Sequence, residues 1–342
     1  MTISVITPSF NQLDWLRLCV SSVRDQVDGV ANDEFRVPSG EIKADDELRM
    51  ASNDVENPLP ATGHTSPIVV EHIIQDAGTA GIEDFAREIG ADFFRNGQLI
   101  FSFSESQHSS ISRYRIAVHC EADAGMYDAI NRGLKKATGE FLSYLNCDEQ
   151  YLPMALQSVA AWFLDNPDRD VLFADAVLLD DSGKALSYRR TVLPDKLHTR
   201  LCHLNTLTCS TFFRRSVIDR GHIFPERKKI IGDGVWVYGM LEAGVSMGNM
   251  KQPTSVFTFT GSNMSEIDKG TGSEQDMWLN EPGAPPRWLR MPVSLFHRLK
   301  KMANGAYQQR TFDYAVFTLD STQDRRAFKA HRLGALWPGD SK

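Results

Sequence analysis

The sequence predicts an α/β fold in which a mixed, mostly parallel β-sheet is flanked by helices and followed by a C-terminal helical extension. Two patterns predict this architecture. Short runs rich in Ile and Val alternate with segments in which apolar residues recur at helical spacing. Small and polar residues follow these runs, at the positions where parallel strands end and where ligands bind in open α/β sheets.

The N-terminal part of the chain predicts two strands. Residues 1–7 form the first, followed by a turn at Thr7-Pro8-Ser9-Phe10-Asn11 and an amphipathic helix from Leu13. Residues 68–74 form the second, which leads to Asp76-Ala77-Gly78. Between them, residues 28–67 contain nine acidic and three basic residues and four prolines without an apolar period, which predicts a flexible insertion.

Residues 123–149 are the central stretch of the chain. Apolar residues at helical spacing predict a helix, and the run at 141–145 predicts a buried strand that ends at Asn146-Cys147-Asp148-Glu149. Two adjacent carboxylates at a strand end suit a hard divalent cation, Mn²⁺ or Mg²⁺, which would in turn bind a diphosphate. The alternative is a solvated acidic turn.

The later elements continue the alternation. Residues 156–164 predict a helix, 171–179 and 185–190 a hairpin, and 256–260 the last strand of the sheet. Asp233 precedes an apolar helix and has a glycine on either side. The simplest role for Asp233 is a helix N-cap, and a helix N-terminus also keeps a carboxylate in place and ionised.

Composition restricts the class of protein. The chain has 342 residues, of which 42% are hydrophobic and 24% charged, and no run reaches the length of a membrane helix. Five cysteines without a Cys-x-x-Cys pair predict neither a disulfide framework nor a zinc site. Because the chain enters its first strand without a signal segment, we expect a cytoplasmic protein.

Charge is unevenly distributed. Residues 285–342 carry eleven Lys/Arg and four Asp/Glu, a net of +7 in a chain whose total is -7. An acidic body with a basic tail is not typical of a nucleic-acid-binding protein. Basic and apolar residues interleave from Arg287 to Lys301, the pattern of an amphipathic segment that either packs on the body or lies peripherally on the inner face of the cell membrane.

Four motifs match in order and spacing those of a known family. They are Thr7-Pro8-Ser9-Phe10-Asn11, Asp76-Ala77-Gly78-Thr79, Asp123-Ala124-Gly125-Met126-Tyr127-Asp128-Ala129-Ile130-Asn131-Arg132-Gly133 and Leu145-Asn146-Cys147-Asp148-Glu149. The chain thereby resembles the inverting nucleotide-sugar glycosyltransferases of the GT-A fold, family 2 type, which act in bacterial polysaccharide biosynthesis. The resemblance implies a glycosyltransferase domain over residues 1–265, a linker over 266–286 and a basic amphipathic extension over 287–342.

The resemblance also implies a reaction and a set of residues. A sugar would move with inversion from a nucleoside diphosphate sugar, with UDP as the expected carrier, to a hydroxyl of a saccharide or lipid-linked saccharide. Asp148 and Glu149 would bind the metal, and Asp233 would be the catalytic base. Phe10 would stack on the base of the donor, and Asp76 would accept a hydrogen bond from a uracil imide. The residues of the four motifs that would bind the donor are Thr7, Pro8, Phe10, Asn11, Asp76, Asp123, Asn131 and Asn146.

Two departures from the family pattern keep an alternative open. The chain lacks the second Asp that relatives carry after Gly78, and Thr208-Cys209 stands where relatives have His-Gln, so no catalytic histidine is assigned. A non-catalytic nucleotide-binding or assembly subunit that retains the fold would account for both. The presence of Asp76, Asp148 and Asp233 together favours an enzyme.

Overall fold

The computed structural model describes residues 1–28, 67–103, 113–261, 263, 273–335 and 337. Of the predicted insertion at 28–67, all but the first and last residue lie outside the described residues.

The described part contains nine α-helices and thirteen β-strands. The helices are α1 (Leu13–Asp28), α2 (Ile82–Glu88), α3 (Met126–Lys136), α4 (Ala155–Asp165), α5 (Lys196–Leu201), α6 (Arg215–Asp219), α7 (Gly232–Glu242), α8 (Glu274–Leu279) and α9 (Arg290–Ala303). The strands are β1 (Thr2–Ser9), β2 (Val69–Asp76), β3 (Asp92–Arg95), β4 (Gln98–Phe101), β5 (Tyr114–Cys120), β6 (Phe141–Tyr144), β7 (Glu149–Tyr151), β8 (Val171–Asp180), β9 (Ala185–Arg189), β10 (Thr211–Arg214), β11 (Met247–Phe259), β12 (Arg310–Thr318) and β13 (Ser321–Leu333).

The main sheet has the strand order β4-β3-β5-β2-β1-β6-β10-β8-β11-β7, and β9 pairs with β8. Pairing is parallel from β3 through β5, β2 and β1 to β6, and again between β8 and β11. The strand β10 is antiparallel to both β6 and β8. The sheet is therefore mixed and mostly parallel, which confirms the predicted fold class.

Helices cover both faces of the sheet because side chains alternate along each strand. Ile3 packs with Val23 of α1 on one face, together with residues of α4. Ile6 packs with Ile130 of α3 on the other face, where Met240 of α7 belongs to the same cluster. Both faces of the central strands are buried, as their continuous apolar runs predict.

The predicted helical extension contains α9 and also a β-hairpin, β12–β13, that the sequence analysis did not predict. Tyr314 and Val316 of the hairpin are buried with Val177 and Val256 of the main sheet. Gln150 in β7 donates from Nε2 to the Phe317 carbonyl and accepts at Oε1 from the Phe317 N–H, each at 2.9 Å. This pair of hydrogen bonds, the Gln150–Phe317 clasp, joins the hairpin to the main sheet.

The prediction of a linker at 266–286 is wrong for residues 273–286, which is the part that the structure describes. Its C-terminal part contains the helix α8, capped at its N-terminus by the Ser273 hydroxyl, which accepts from the Asp276 N–H at 3.1 Å. Trp278 and Leu279 of this helix are buried. Within the described residues, no helix is long and apolar enough to cross a membrane.

Candidate active site

The acidic turn, Asn146–Glu149, lies at the carboxyl end of β6. The Leu145 N–H extends the pairing of β6 with β1 by donating to the Ile6 carbonyl at 2.9 Å. Two reciprocal hydrogen bonds then close the turn. The Glu149 N–H donates to the Asn146 carbonyl at 3.0 Å, and the Asn146 N–H donates to Glu149 Oε2 at 2.7 Å. The alternative of a solvated acidic turn is therefore wrong for Glu149, whose side chain is buried.

The two acids of the turn differ in charge and in access. Burial raises the pKa of Asp148 to about 6. Burial and, secondarily, the charge of Asp148 raise the pKa of Glu149 to about 8. These values favour the protonated form at neutral pH more for Glu149 than for Asp148. The Glu149 side chain is buried and closes the turn by accepting from the Asn146 N–H, and this geometry argues against its predicted role as a metal ligand.

Asp148 keeps the properties of an oxygen ligand. Its Oδ2 accepts from Asn263 Nδ2 at 3.3 Å, and its side chain is only half-buried. Among the described residues, no group of three or more His, Cys, Asp and Glu side chains could hold a metal ion. The Asp148 carboxylate is the kind of oxygen ligand that a hard cation takes, and a bound diphosphate can supply such a cation with further oxygens.

Asp233 lies in the first turn of α7, one residue inside the helix start at Gly232. Its predicted N-cap role is wrong, because Ile231 occupies the cap position and the Asp233 Oδ1 accepts from the Gly234 N–H at 2.7 Å. Burial raises the pKa of Asp233 to about 6, against the hydrogen bond from Gly234, which lowers it. The charge of Asp233 is also one of the smaller causes that raise the pKa of Glu149.

Tyr127 of α3 positions the start of α7. Its hydroxyl donates to the Ile230 carbonyl and accepts from the Asp233 N–H, both at 3.1 Å. Its ring lies against Gly232, where an added Cβ would come within 2.4 Å of a ring carbon. Tyr127 belongs to the third sequence motif, but no local pattern indicates that it contacts residues more than a hundred positions away.

Glu274 of α8 supports the same helix start from the other side. Its Oε1 accepts from the Lys229 N–H at 2.8 Å, and its Oε2 accepts from the Ile230 N–H at 2.7 Å and the Ile231 N–H at 3.2 Å. Glu274 was not predicted as a site residue, because Glu274 lies in the acidic, Gly- and Pro-rich stretch that predicted a linker. An acid in such a stretch carries no local signal of a distant backbone partner.

The turn after β2 uses Asp76 differently from the prediction. Its Oδ1 accepts from the Gly78 N–H at 2.9 Å and the Thr79 N–H at 2.7 Å, and its Oδ2 accepts from the Thr79 hydroxyl at 2.7 Å. The side chain is completely buried. Asp76 therefore shapes the turn that follows β2, and its predicted contact with a uracil imide is not available in this conformation.

The turn after β1 separates the predicted donor-binding residues into two groups. Thr7 and Pro8 are buried, and the Thr7 hydroxyl lies 2.8 Å from His72 Nε2. Phe10 is 58% exposed, and the exposed Asn11 has a φ of 54°. The Asn11 N–H donates to the Thr79 hydroxyl at 2.8 Å, which fixes this turn against the turn after β2. Only Phe10 and Asn11 of this set present side chains to a ligand.

The remaining predicted donor residues lie in or near α3 and the acidic turn. Asp123 is half-buried before α3 and accepts from the Gly125 N–H at 3.0 Å, and burial raises its pKa. Asn146 is also half-buried, in the acidic turn. Asn131 is corrected: it is buried and hydrogen-bonded to both backbone groups of Phe224, with its Nδ2 also donating to Glu226.

Comparison with known families concerns the segment that contains α3, β6 and the acidic turn. Residues 105–220 match the model described as "Glycosyl transferase family 2". We call residues 105–220 the family 2 segment. The family 2 segment includes Asp123 and Asp148, whereas Asp76 and Asp233 lie outside the matched range.

The family 2 match is accompanied by similar curated proteins. A PGL/p-HBAD biosynthesis glycosyltransferase of Mycobacterium bovis and its counterpart in Mycobacterium tuberculosis are each 27% identical over 123 residues. The match covers 35% of this chain and 44% of each relative, so it spans less than half of their length.

Two solved structures are similar to this chain over most of its length. S. aureus TarS 1-349 in complex with UDP-GlcNAc is 13% identical with a TM-score of 0.44, over 89% of this chain and 75% of that chain. A mannosyltransferase from Pyrobaculum calidifontis in complex with GDP-Man and Mn²⁺ is 13% identical with a TM-score of 0.44, over 88% of this chain and 70% of that chain.

Proposed function

We propose that the chain is an inverting glycosyltransferase. It transfers a hexosyl group from a nucleoside diphosphate sugar, with UDP as the carrier, to a hydroxyl of a saccharide or lipid-linked saccharide in cell-surface polysaccharide or glycolipid assembly. The family 2 match supports the class of reaction. The observation that carries the proposal is the hydrogen bond from the Asp233 N–H to the hydroxyl of Tyr127, which joins the start of α7 to the family 2 segment that contains Asp148.

Asp148 would supply the protein ligand for a divalent cation, Mn²⁺ or Mg²⁺. When bound, such a cation neutralises the diphosphate leaving group as the glycosidic bond to phosphate breaks. The ionised carboxylate provides the hard oxygen that these cations prefer. Phe10 at the end of β1 would stack on the base, because its exposed ring can cover an aromatic ligand.

Asp233 would act as the general base. A carboxylate with a pKa near 6 remains ionised at neutral pH and is a better proton acceptor than a carboxylate of ordinary pKa. The acceptor hydroxyl would lose its proton to Asp233 while its oxygen attacks the anomeric carbon opposite the diphosphate. This single displacement inverts the configuration without a covalent intermediate.

The substitution Asp233→Asn tests the proposal. The donor is first identified by thermal stabilisation with a panel of nucleoside diphosphate sugars in the presence of MnCl₂, and its slow hydrolysis gives a turnover number. Because a general base contributes about 10²–10⁴-fold, Asp233→Asn should lower kcat by that factor and leave donor affinity nearly unchanged.

The matched control is Asp84→Asn, which makes the same change in the first turn of α2, where the side chain is exposed. This control should keep wild-type turnover. Stabilisation by none of the donors, or near-normal turnover in Asp233→Asn, would contradict the proposal.

A further inference from the structure

Helix α9 contacts the rest of the protein through its polar side. His297 is its buried residue, and the His297 ring stacks on the ring of His198 in α5 with centroids 3.6 Å apart. Val293 packs at the edge of a small cluster with Leu201 and Leu279. The inner contact of α9 is therefore narrow and is centred on a histidine.

The opposite side of the helix is apolar and faces solvent. This outer face consists of six side chains that are between 54% and 81% exposed: Trp288, Met291, Leu295, Phe296, Leu299 and Met302. Four of them recur at intervals of four, four and three residues, so they lie along one stripe. An amphipathic helix of a globular domain normally turns this stripe toward the core. Here the arrangement is reversed, and exposed apolar patches of this kind mark interaction sites.

Charge restricts what can cover the outer face. Residues 287–310 contain six Lys/Arg and no Asp or Glu. Arg290 and Arg298 are exposed on the same helix. A second copy of the chain would bring two such cationic segments together, which like-charge repulsion opposes. A partner with a negatively charged surface and an apolar interior satisfies both the cations and the apolar stripe.

We propose that the outer face of α9 docks on an anionic lipid bilayer. The helix lies in the plane of the interface, with its apolar stripe among the acyl chains and its Arg and Lys side chains at the phosphate level. Trp288 enters the interface at the N-terminal end of the helix. Docking requires no chemistry at the active site, so it goes beyond the proposed function and stands or fails separately from it.

Vesicle co-sedimentation of the full chain tests the docking. The wild type should sediment with vesicles of equal parts phosphatidylglycerol and phosphatidylcholine and remain in solution with phosphatidylcholine alone. The double variant Leu295→Ser/Phe296→Ser should bind the anionic vesicles about tenfold or more weakly, because it removes two large apolar side chains from the inserted stripe. Both side chains are exposed, so the fold should tolerate the change.

The matched control is Leu99→Ser/Ile100→Ser on β4, which removes two apolar side chains that are 51% and 47% exposed. It should bind like the wild type. Tryptophan emission of the wild type should shift to the blue on binding, and Trp288→Phe should lose most of that shift. Both double variants should keep the thermal stabilisation by the sugar nucleotide, which separates docking from donor binding.

Three results would overturn the docking proposal. The first is sedimentation with neutral and anionic vesicles alike, or equal loss of binding in both double variants. The second is absence of vesicle binding together with a dimer that Leu295→Ser/Phe296→Ser dissociates, which would assign the outer face to a second copy. The third is vesicle binding without a change in the emission of Trp288.

Discussion

Asp76 is the last residue of β2 and Asp233 lies in the first turn of α7, and the two carboxylates use their oxygens differently. Asp76 accepts three hydrogen bonds from its own turn and is completely buried. The Asp233 Oδ1 accepts from the Gly234 N–H, and burial raises the pKa of Asp233 to about 6. A carboxylate whose lone pairs are taken by its own backbone shapes a loop, whereas one that keeps free lone pairs can receive a proton or a cation.

The largest effect expected from this comparison is on stability. Asp76→Ala removes an acceptor of three buried hydrogen bonds and should lower the free energy of unfolding by about 3 kcal/mol. Asp76→Asn keeps one acceptor oxygen and should cost about 1 kcal/mol. Urea denaturation measures both. If Asp76→Asn kept full stability and lost donor binding, the result would support the predicted hydrogen bond between Asp76 and the base of the donor.

The two acids of the acidic turn should separate in donor binding. Asp148→Asn should weaken the affinity for the donor in the presence of Mn²⁺ by about tenfold or more. Loss of a residue that only supports a metal ligand already weakens metal binding about tenfold, so loss of the ligand itself should cost at least as much. Glu149→Gln should leave that affinity unchanged at pH 7, because the amide keeps the acceptor for the Asn146 N–H and replaces a protonated acid. Calorimetric titration with and without Mn²⁺ tests the pair. Equal losses in both variants would show that Glu149 is a ligand after all.

The raised pKa of Asp233 should appear in the pH dependence of turnover. A base with a pKa near 6 loses its ionised form as pH falls, so kcat should drop about tenfold per pH unit below 6 and level off above 7. Saturating Mn²⁺ keeps Asp148 ionised across this range and leaves Asp233 as the titrating group. The profile of log kcat should be flat in Asp233→Asn, and a persisting acid limb would point to another base.

Tyr127→Phe should have the smallest effect. It removes the hydroxyl that bonds the Ile230 carbonyl and the Asp233 N–H, and should lower kcat about fivefold, equivalent to about 1 kcal/mol, with donor KM unchanged. Because the Tyr127 hydrogen bond lowers the pKa of Asp233, the acid limb of the kcat profile should also move to higher pH. Tyr238→Phe, which removes a hydrogen bond to Glu242 farther along α7, is the control and should change neither quantity. An unshifted limb would leave Tyr127 with a structural role only.

The sequence predicted the elements that depend on local patterns. Apolar periodicity located β1, β2, α3 and β6, the rule that ligands bind where parallel strands end indicated Asp148, and the family resemblance indicated Asp233. The structure adds partners that no local pattern specifies. Asn131 bonds a backbone 93 residues away, so its motif position indicated a ligand contact where the fold uses it as a core contact.

Two errors have a different origin. The linker and tail were judged by composition, and composition does not distinguish a solvated acidic or basic stretch from one with a buried face. Phe312 and Tyr314 of β12 alternate with Thr311 and Asp313 as a strand requires, although the excess of Lys and Arg in this part of the chain is the stronger compositional signal. The Asp76 turn was open to prediction, because an Asp followed by glycine two residues later favours a side chain that bonds its own backbone.

The Gln150–Phe317 clasp has a consequence for biosynthesis. Gln150 follows the acidic turn directly, and its hydrogen-bonding partner is 167 residues further along the chain. During translation, the segment with Asp148 emerges from the ribosome long before the hairpin that braces it. The strand β7 therefore completes its contacts only after residue 317 has left the ribosome, and a nascent chain arrested before residue 317 carries the family 2 segment without this support.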